Sequence, residues 1–197
     1  MRSCQYRSLW SFKQRQQAVL PWFSQTQGKK ILDVGCGPGL FSAPLARGND
    51  LVGIDLSLEM LRLAQTDLKA VRGEAASLPF KDHSFDIVLA IEILQHANPP
   101  GIFLKEILRV VRPEGEVIIS SLNAASFLHR FLKPVGGYDG LHFYFAEEIN
   151  GWLKEEGAEN LGTQFLGFPF PWVWKSNGGR NRFSPLAASW VIRCRKK

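Results

Sequence analysis

The sequence has few cysteines, no long apolar run and no acid near its start. Its three cysteines, Cys4, Cys36 and Cys194, are odd in number and far apart. That excludes a disulfide framework and points to a reducing cytoplasm. No stretch approaches the ~20 apolar residues of a membrane span. No internal repeat, low-complexity tract or linker occurs, which excludes repeat arrays and tethered modules. No acid precedes Asp33, whereas Arg2, Arg7, Lys13, Arg15, Lys29 and Lys30 all do. A basic, acid-free start is shared with transit peptides. The segment "SFKQRQQAVLPWF" reads instead as an amphipathic helix, with Phe12, Ala18, Val19, Trp22 and Phe23 forming a face over the first strand.

What is present suits one globular domain over residues 1–197: a hydrophobic fraction of 45% supplies a core. The net charge of +6 collects at the ends, with Arg193, Arg195, Lys196 and Lys197 closing the chain. Basic ends of this kind read as solvated faces, and nucleic acid is not the expected partner. Strand-like runs are "KILDV", "DLVGID", "KAVRG", "FDIVLAI", "GEVIISSL", "GTQFLGF" and "SWVIRCR". Helix-like runs lie between most of them: Leu40 to Arg47, Ser57 to Thr66 with a serine cap, Pro100 to Val111 stopped by "RPEG", and Phe145 to Glu156 stopped by Gly157. A helix at about 10–25 precedes them. Such alternation predicts an α/β fold with a parallel sheet covered on both faces.

Residues 31–39 read "ILDVGCGPG", a strand, a glycine turn and the start of a further element. Glycine admits positive φ and lets a ligand approach the bare chain. In a doubly wound sheet, ligands sit at the carboxyl ends of the strands, so this turn reads as the floor of a cofactor site. Asp55 ends the second strand, where a carboxylate can take both hydroxyls of a ribose. Dinucleotide sites share that plan, but their fingerprint is G-x-G-x-x-G/A. Gly35, Gly37 and Gly39 give G-x-G-x-G instead, and Glu74 after the third strand suits an adenine edge.

With "VGIDLSLEML", "GEAASLPFKDHSFDIVLAIEILQHA" and "FLKEILRVVRPEGEVIIS" following in order, residues 28–160 resemble the class I S-adenosylmethionine-dependent methyltransferases of the broad small-molecule group. The resemblance implies a Rossmann-like, doubly wound sheet of seven strands, mostly parallel, with the last antiparallel. It implies S-adenosylmethionine as cofactor and S-adenosylhomocysteine as product. Carried over, Gly35, Cys36 and Gly37 contact the methionine end through the backbone. Asp33 orients the turn and reaches the amino group, directly or through water. Asp55 takes the ribose, with Leu56 and Met60 beside the adenine, and Glu74 and Ala75 at its edge. Ala90 and Ile91 approach the methionine carboxylate and sulfonium. Pro44 interrupts the first helix and predicts a kink there.

Candidate bases are His96, just beyond the fourth strand, and His142 in "GLHFYF"; His83 reads as a surface turn and His129 as a solvated helix residue. The quinone-ring O-methyltransferases that this chain resembles carry Glu-x-x-Glu-His at the first position. Here Glu92, Gln95 and His96 lack one carboxylate of that set, and no metal is expected. Segments at about 123–145 and 168–184 read as covers. Their Phe127, Phe131, Tyr138, Phe143, Tyr144, Phe168, Phe170, Trp172 and Trp174 can line an apolar cleft or join the core. The reading is a methyltransferase acting on an O, N or C atom of a small apolar or aromatic acceptor. Alternatives are a cofactor-binding partner or regulator without transferase activity, an RNA-base enzyme and a nicotinamide-dependent enzyme. Oligomeric state stays open.

Overall fold

The computed structural model describes residues 9–64, 67–127, 140–167, 173–176 and 184–197, with side chains left out for 9–11, 173–176 and 184. Each of the seven strand-like runs forms a strand: β1 (Lys30–Val34), β2 (Asp50–Asp55), β3 (Lys69–Arg72), β4 (Phe85–Ile91), β5 (Val111–Leu122), β6 (Ala158–Gly167) and, last in the chain, β8 (Ala187–Lys196). The sheet order is β3-β2-β1-β4-β5-β8-β6-β7. Strands β1 to β5 run parallel, and β8 is antiparallel to both of its neighbours, β5 and β6. The eighth strand, β7 (Val173–Ser176), adds an antiparallel edge to β6. That corrects part of the expected cover at 168–184. "VWKS" carries a β-branched and an aromatic residue, and the open edge of β6 gives it a ladder to join.

Side-chain alternation divides the sheet into two apolar faces. Leu32, Val34, Ile54 and Val88 point to one, where α3 (Pro100–Val110) contributes Phe103, Leu104 and Ile107, and α4 (Ala146–Glu155) contributes Ile149 and Leu153. Ile31, Leu51, Ile87, Leu89 and Ile118 point to the other, met by Ala18 and Val19 of α1 (Leu9–Val19), by Phe23, and by Phe41 and Leu45. All five residues expected to form the N-terminal face are found there: Ala18, Val19 and Phe23 are buried, Phe12 and Trp22 pack against them, and Trp22 also takes the Arg193 guanidinium over its ring at 5.5 Å. Among the described residues, no helix is long and apolar enough to cross a membrane.

Three expectations need correction. The run from Ser57 yields only one turn, α2 (Leu58–Leu61), capped by the Ser57 hydroxyl accepting from the Met60 N–H. Leu58 and Leu63 stay exposed, because a single turn has no continuous face to bury. Leu40 to Arg47 forms just a 3-10 turn at Ala43–Leu45, with Pro44 inside it. Helix α3 ends at Val110, before "RPEG", as expected, but the fifth strand starts at Val111 rather than Gly115 and takes "RPEG" in as a bulge: Phe85 pairs with Val111, and the next pair is Ile87 with Glu116.

The basic C-terminal end is also built into the fold. Arg193 makes two bonds of 2.9 Å to the Glu116 carboxylate, and the Lys196 ammonium donates to the Leu108 and Val111 carbonyls at the end of α3. These charges cap and clamp secondary structure.

Ile107 is fully buried between α3 and the sheet, whereas Ile102 on the same helix is 58% exposed. Ile107→Ala is expected to cost about 2–5 kcal/mol in urea unfolding. Ile102→Ala is expected to stay within about 0.5 kcal/mol of the parent.

Candidate cofactor site

The site grows from the point where β1 and β2 end side by side. Val34 and Ile54 are their last pair, and the chain then reverses at once. The Gly35 and Cys36 N–H groups both donate to the Ile54 carbonyl, at 2.8 and 3.1 Å. That folding requires left-handed backbone, with φ of 70° at Gly35 and 53° at Gly37. The Gly37 N–H donates to Asp55 Oδ2 at 2.8 Å, while Asp55 Oδ1 accepts the Ser57 N–H at 2.8 Å. One carboxylate therefore ties the turn after β1 to the turn after β2. A carboxylate offers about four acceptor positions, so two remain for a ligand.

The turn satisfies its own donors. The Gly39 N–H goes to the Cys36 carbonyl at 2.8 Å, so none of the N–H groups of Gly35, Cys36, Gly37 and Gly39 is left over. The next element is the 3-10 turn, with no helix N-terminus aimed at the site. The expected backbone contacts from Gly35, Cys36 and Gly37 are thus limited to bare chain and carbonyl oxygens. The Cys36 thiol is buried, and burial raises its pKa far above the ordinary thiol range.

A cavity of about 210 Å³ opens beside this turn. Gly35, Asp55 and Leu56 line it from the first two strand ends, Gly73, Glu74, Ala75 and Ala76 from the stretch after β3, and Ile93, His96 and Ala97 from the stretch after β4. Ile54 and Phe103 complete the wall. Six expected residues, Gly35, Asp55, Leu56, Glu74, Ala75 and His96, are therefore brought together. Met60 is half-buried on α2 outside the lining. Ala90 and Ile91 are buried strand residues on opposite faces of the sheet, also outside it. Their side chains pack into the core, because a strand covered on both faces leaves neither free.

Asp33 lies on the α1 face, 2% exposed. Burial pushes its carboxyl up to about 7; the nearby Ser42 hydroxyl opposes this and the Asp55 charge adds to it. Neither Asp33 Oδ2 nor Ser42 Oγ has a hydrogen-bond partner of good geometry. An acceptor buried without a donor is a place where a ligand or water completes the bonding.

The wall after β4 is cross-braced. Glu92 adopts φ of 56°, a conformation costing roughly 1–3 kcal/mol in a non-glycine residue unless its surroundings enforce it. Its N–H donates to the Ser120 carbonyl and hydroxyl at 3.2 and 3.0 Å, and its carboxylate accepts from Arg15 Nε at 2.9 Å. Gln95 Nε2 donates to the other carboxylate oxygen at 3.4 Å, and the Ser121 hydroxyl donates to Gln95 Oε1 at 3.3 Å. The His142 N–H donates to the Gln95 carbonyl at 2.9 Å, which sets the two candidate histidines on adjoining segments. Tyr144 donates its hydroxyl to the Ala97 carbonyl. His96 is on the cavity, and burial holds its imidazole below the ordinary range, against the Glu92 and Asp55 charges. His142 is half-buried and does not line the cavity. His83 is an exposed turn residue with φ of 56°.

Of the aromatic cover, Phe127 is exposed, Phe143 half-buried and Tyr144 buried. Phe131, Tyr138, Phe168, Phe170, Trp172, the Trp174 side chain and His129 lie outside the described residues. Sequence reasoning missed Arg15 and Ser120. A cation 77 positions from its carboxylate partner leaves no local signal.

The Asp33 carboxyl generates a pH test. Its folded pKa of about 7 lies above its ordinary 3.8, so the folded state holds the proton more tightly. Its cost to stability is absent below pH 3.8, accumulates as pH rises to 7 and is complete above that. Asp33→Asn is expected to raise ligand-free stability over the parent at pH 8 and to lose that advantage near pH 4. Parallel urea titrations at the two pH values check this; equal differences at both would place the Asp33 charge elsewhere.

Comparison with known proteins agrees with this geometry. Residues 32–119 match the family model of a methyltransferase domain. The chain is 42% identical over 105 residues to the ubiquinone biosynthesis O-methyltransferase of Azorhizobium caulinodans, covering 49% of this chain and 42% of that protein. It is 32% identical over 147 residues to the demethylmenaquinone methyltransferase of Renibacterium salmoninarum, covering 66% of this chain and 62% of that one. It therefore spans less than two thirds of the length of either relative. The crystal structure of a methyltransferase from Thermotoga maritima, dependent on S-adenosylmethionine, superposes with a TM-score of 0.78 at 25% identity, over 95% of this chain and 89% of that one. Residues 32–119 thus match a methyltransferase domain, and the sheet and its layers are those of an S-adenosylmethionine-dependent methyltransferase fold.

Proposed function

We propose that this chain moves a methyl group from S-adenosylmethionine to an O, N or C atom of a small apolar or aromatic acceptor, leaving S-adenosylhomocysteine. The observation that carries this is the spent donor set of the glycine turn. A pyrophosphate needs free N–H groups at a helix N-terminus. This turn has used the N–H groups of Gly35, Cys36, Gly37 and Gly39, and offers carbonyl oxygens together with the Asp33 and Asp55 carboxyls. That donor-poor, acid-bearing floor suits a ligand with cationic sulfonium and ammonium centres. It disfavours a nicotinamide dinucleotide.

The residues fit the cofactor in parts. Asp55 keeps two acceptor positions for the ribose hydroxyls. Leu56 and Ala75 give apolar walls for the adenine, with Met60 on the helix beside them and Glu74 at the exposed edge. Asp33 Oδ2, lacking a donor, takes the amino group directly or through water. The cofactor supplies an electrophilic methyl. The chain's own task is to align the acceptor and keep water out, and alignment is worth ~7–11 kcal/mol of barrier. His96, neutral at pH 7, accepts the proton of a hydroxyl acceptor. His142, on the adjoining segment and outside the cavity lining, is the second candidate base.

Relatives named for ubiquinone and demethylmenaquinone favour a ring-bearing small molecule over nucleic acid. We read residues 1–197 as one domain acting in the cytoplasm.

Calorimetry with S-adenosylhomocysteine and with NAD tests the cofactor; binding of NAD alone would sink the reading. Asp55→Ala is expected to weaken S-adenosylhomocysteine binding by about 1–3 kcal/mol, the cost of stranding polar partners. A radiolabelled methyl-transfer screen over metabolite extracts separates a transferase from a binding protein. With a hydroxyl acceptor in hand, His96→Gln is expected to lower kcat by about 10²–10⁴-fold at unchanged cofactor affinity. A raised cofactor Kd with kcat intact would assign His96 to the nucleoside wall instead.

A further inference from the structure

The cavity wall after β4 is held from the opposite face of the sheet. Arg15 projects from α1, and its ion pair with Glu92 leaves the two side chains 9% and 15% exposed. A pair so removed from water resists loss of either partner, because the survivor is stranded. Glu92 occupies the left-handed region, which glutamate does not favour. The Ser120 carbonyl, the Ser120 hydroxyl, Gln95 and Arg15 together hold it there. The residues that follow, Ile93 and His96, line the cavity. Ile93 presses so close to the glycine turn that a Cβ on Gly35 would meet its Cδ1 at 2.7 Å. The backbone of Glu92 thus sets where Ile93 and His96 stand, and Arg15 helps set Glu92.

We propose that Arg15 and Glu92 are positioning residues that couple the seating of α1 to occupancy of the cavity by the nucleoside cofactor. The proposal rests on the cofactor reading above. Neither residue lines the cavity; both act through the 92–97 segment. Coupling of this kind is reciprocal. A ligand that needs Ile93 and His96 in place favours the paired state and so holds α1 down. A lifted α1 strands the Glu92 carboxylate, releases its left-handed backbone and loosens the wall.

Two measurements decide it. Hydrogen exchange of the α1 amides is followed in the full chain with and without S-adenosylhomocysteine. Its Kd is measured by calorimetry for the parent, Arg15→Met, Arg15→Lys and Glu92→Gln. Bound ligand is expected to slow α1 exchange in the parent. Arg15→Met and Glu92→Gln are expected to bind about tenfold more weakly, within the usual span of site-to-site coupling, and to lose the protection; Arg15→Lys keeps part of both. Unchanged α1 exchange in the parent overturns the coupling while leaving the cofactor reading intact, and needs no variant to fold. Parent-like Kd in Arg15→Met and Glu92→Gln, with only thermal stability lowered, also overturns it and makes the pair purely structural. A parent that binds no S-adenosylhomocysteine overturns the cofactor reading and the coupling with it.

Discussion

Asp55 stands between two chain reversals and accepts one backbone N–H from each, from Gly37 and from Ser57. Both reversals begin at strand ends already fixed by the β1–β2 ladder, so the carboxylate locks two loops to a rigid frame. Without it, the left-handed turn loses an acceptor for Gly37, and α2 loses the bond that precedes its cap. The cavity exists because these loops diverge from a common anchor. Leu56 leaves on one side, Gly35 on the other, and the stretch after β3 closes the space between. A ligand binding at Asp55 would use the two acceptor positions the loops do not occupy. Architecture and recognition share one side chain.

The two faces of the sheet then divide the work. The face carrying α3 and α4 supplies the cavity, through Phe103 and through Ile93, Ala97 and Ala75 packed against that core. The face carrying α1 supplies charge: Asp33, Arg15 and the Glu92 carboxylate with its Ser120 partner. Alternation along β1 produces this split, since Leu32 and Val34 point one way and Ile31 and Asp33 the other. An acid at position 33 is therefore buried under the N-terminal helix by the same periodicity that builds the core. Its raised pKa is a consequence of where the strand must face.

How far the sequence carries follows from this geometry. The strand runs were legible because each is a short apolar run bounded by turn residues, and seven of them lie where the pattern puts them. The convergence of Gly35, Asp55, Glu74 and Ala75 on one cavity was legible too, since they sit at consecutive strand ends. The extents of α3 and α4 were legible as well, but those of the runs from Leu40 and Ser57 were not. Ser57 caps as its type predicts, but the apolar spacing after it belongs to a single turn with exposed leucines. Ala90 and Ile91 were placed by resemblance near the cofactor, and their side chains are buried on the two faces of the sheet, outside the cavity lining. The fate of the turn's donors was not legible, because no pattern of glycines reveals that the Ile54 carbonyl takes two of them.

The part that escaped reading is the part held by distant residues. Arg15 meets Glu92 across 77 positions, and Tyr144 reaches Ala97 across 47. Such pairs carry no periodicity and no motif, because nothing local selects a partner that far along the chain. Charge alone misleads here: a cation near a basic terminus reads as solvated, and Arg15, Arg193 and Lys196 are all engaged. Local sequence therefore specifies the cofactor floor, while the fold as a whole specifies the wall above it. The wall is the 92–97 segment, braced by Arg15 of α1 and by the backbone and side chains of the 142–144 stretch. Under the proposed reading the acceptor meets that wall, because His96 stands on it.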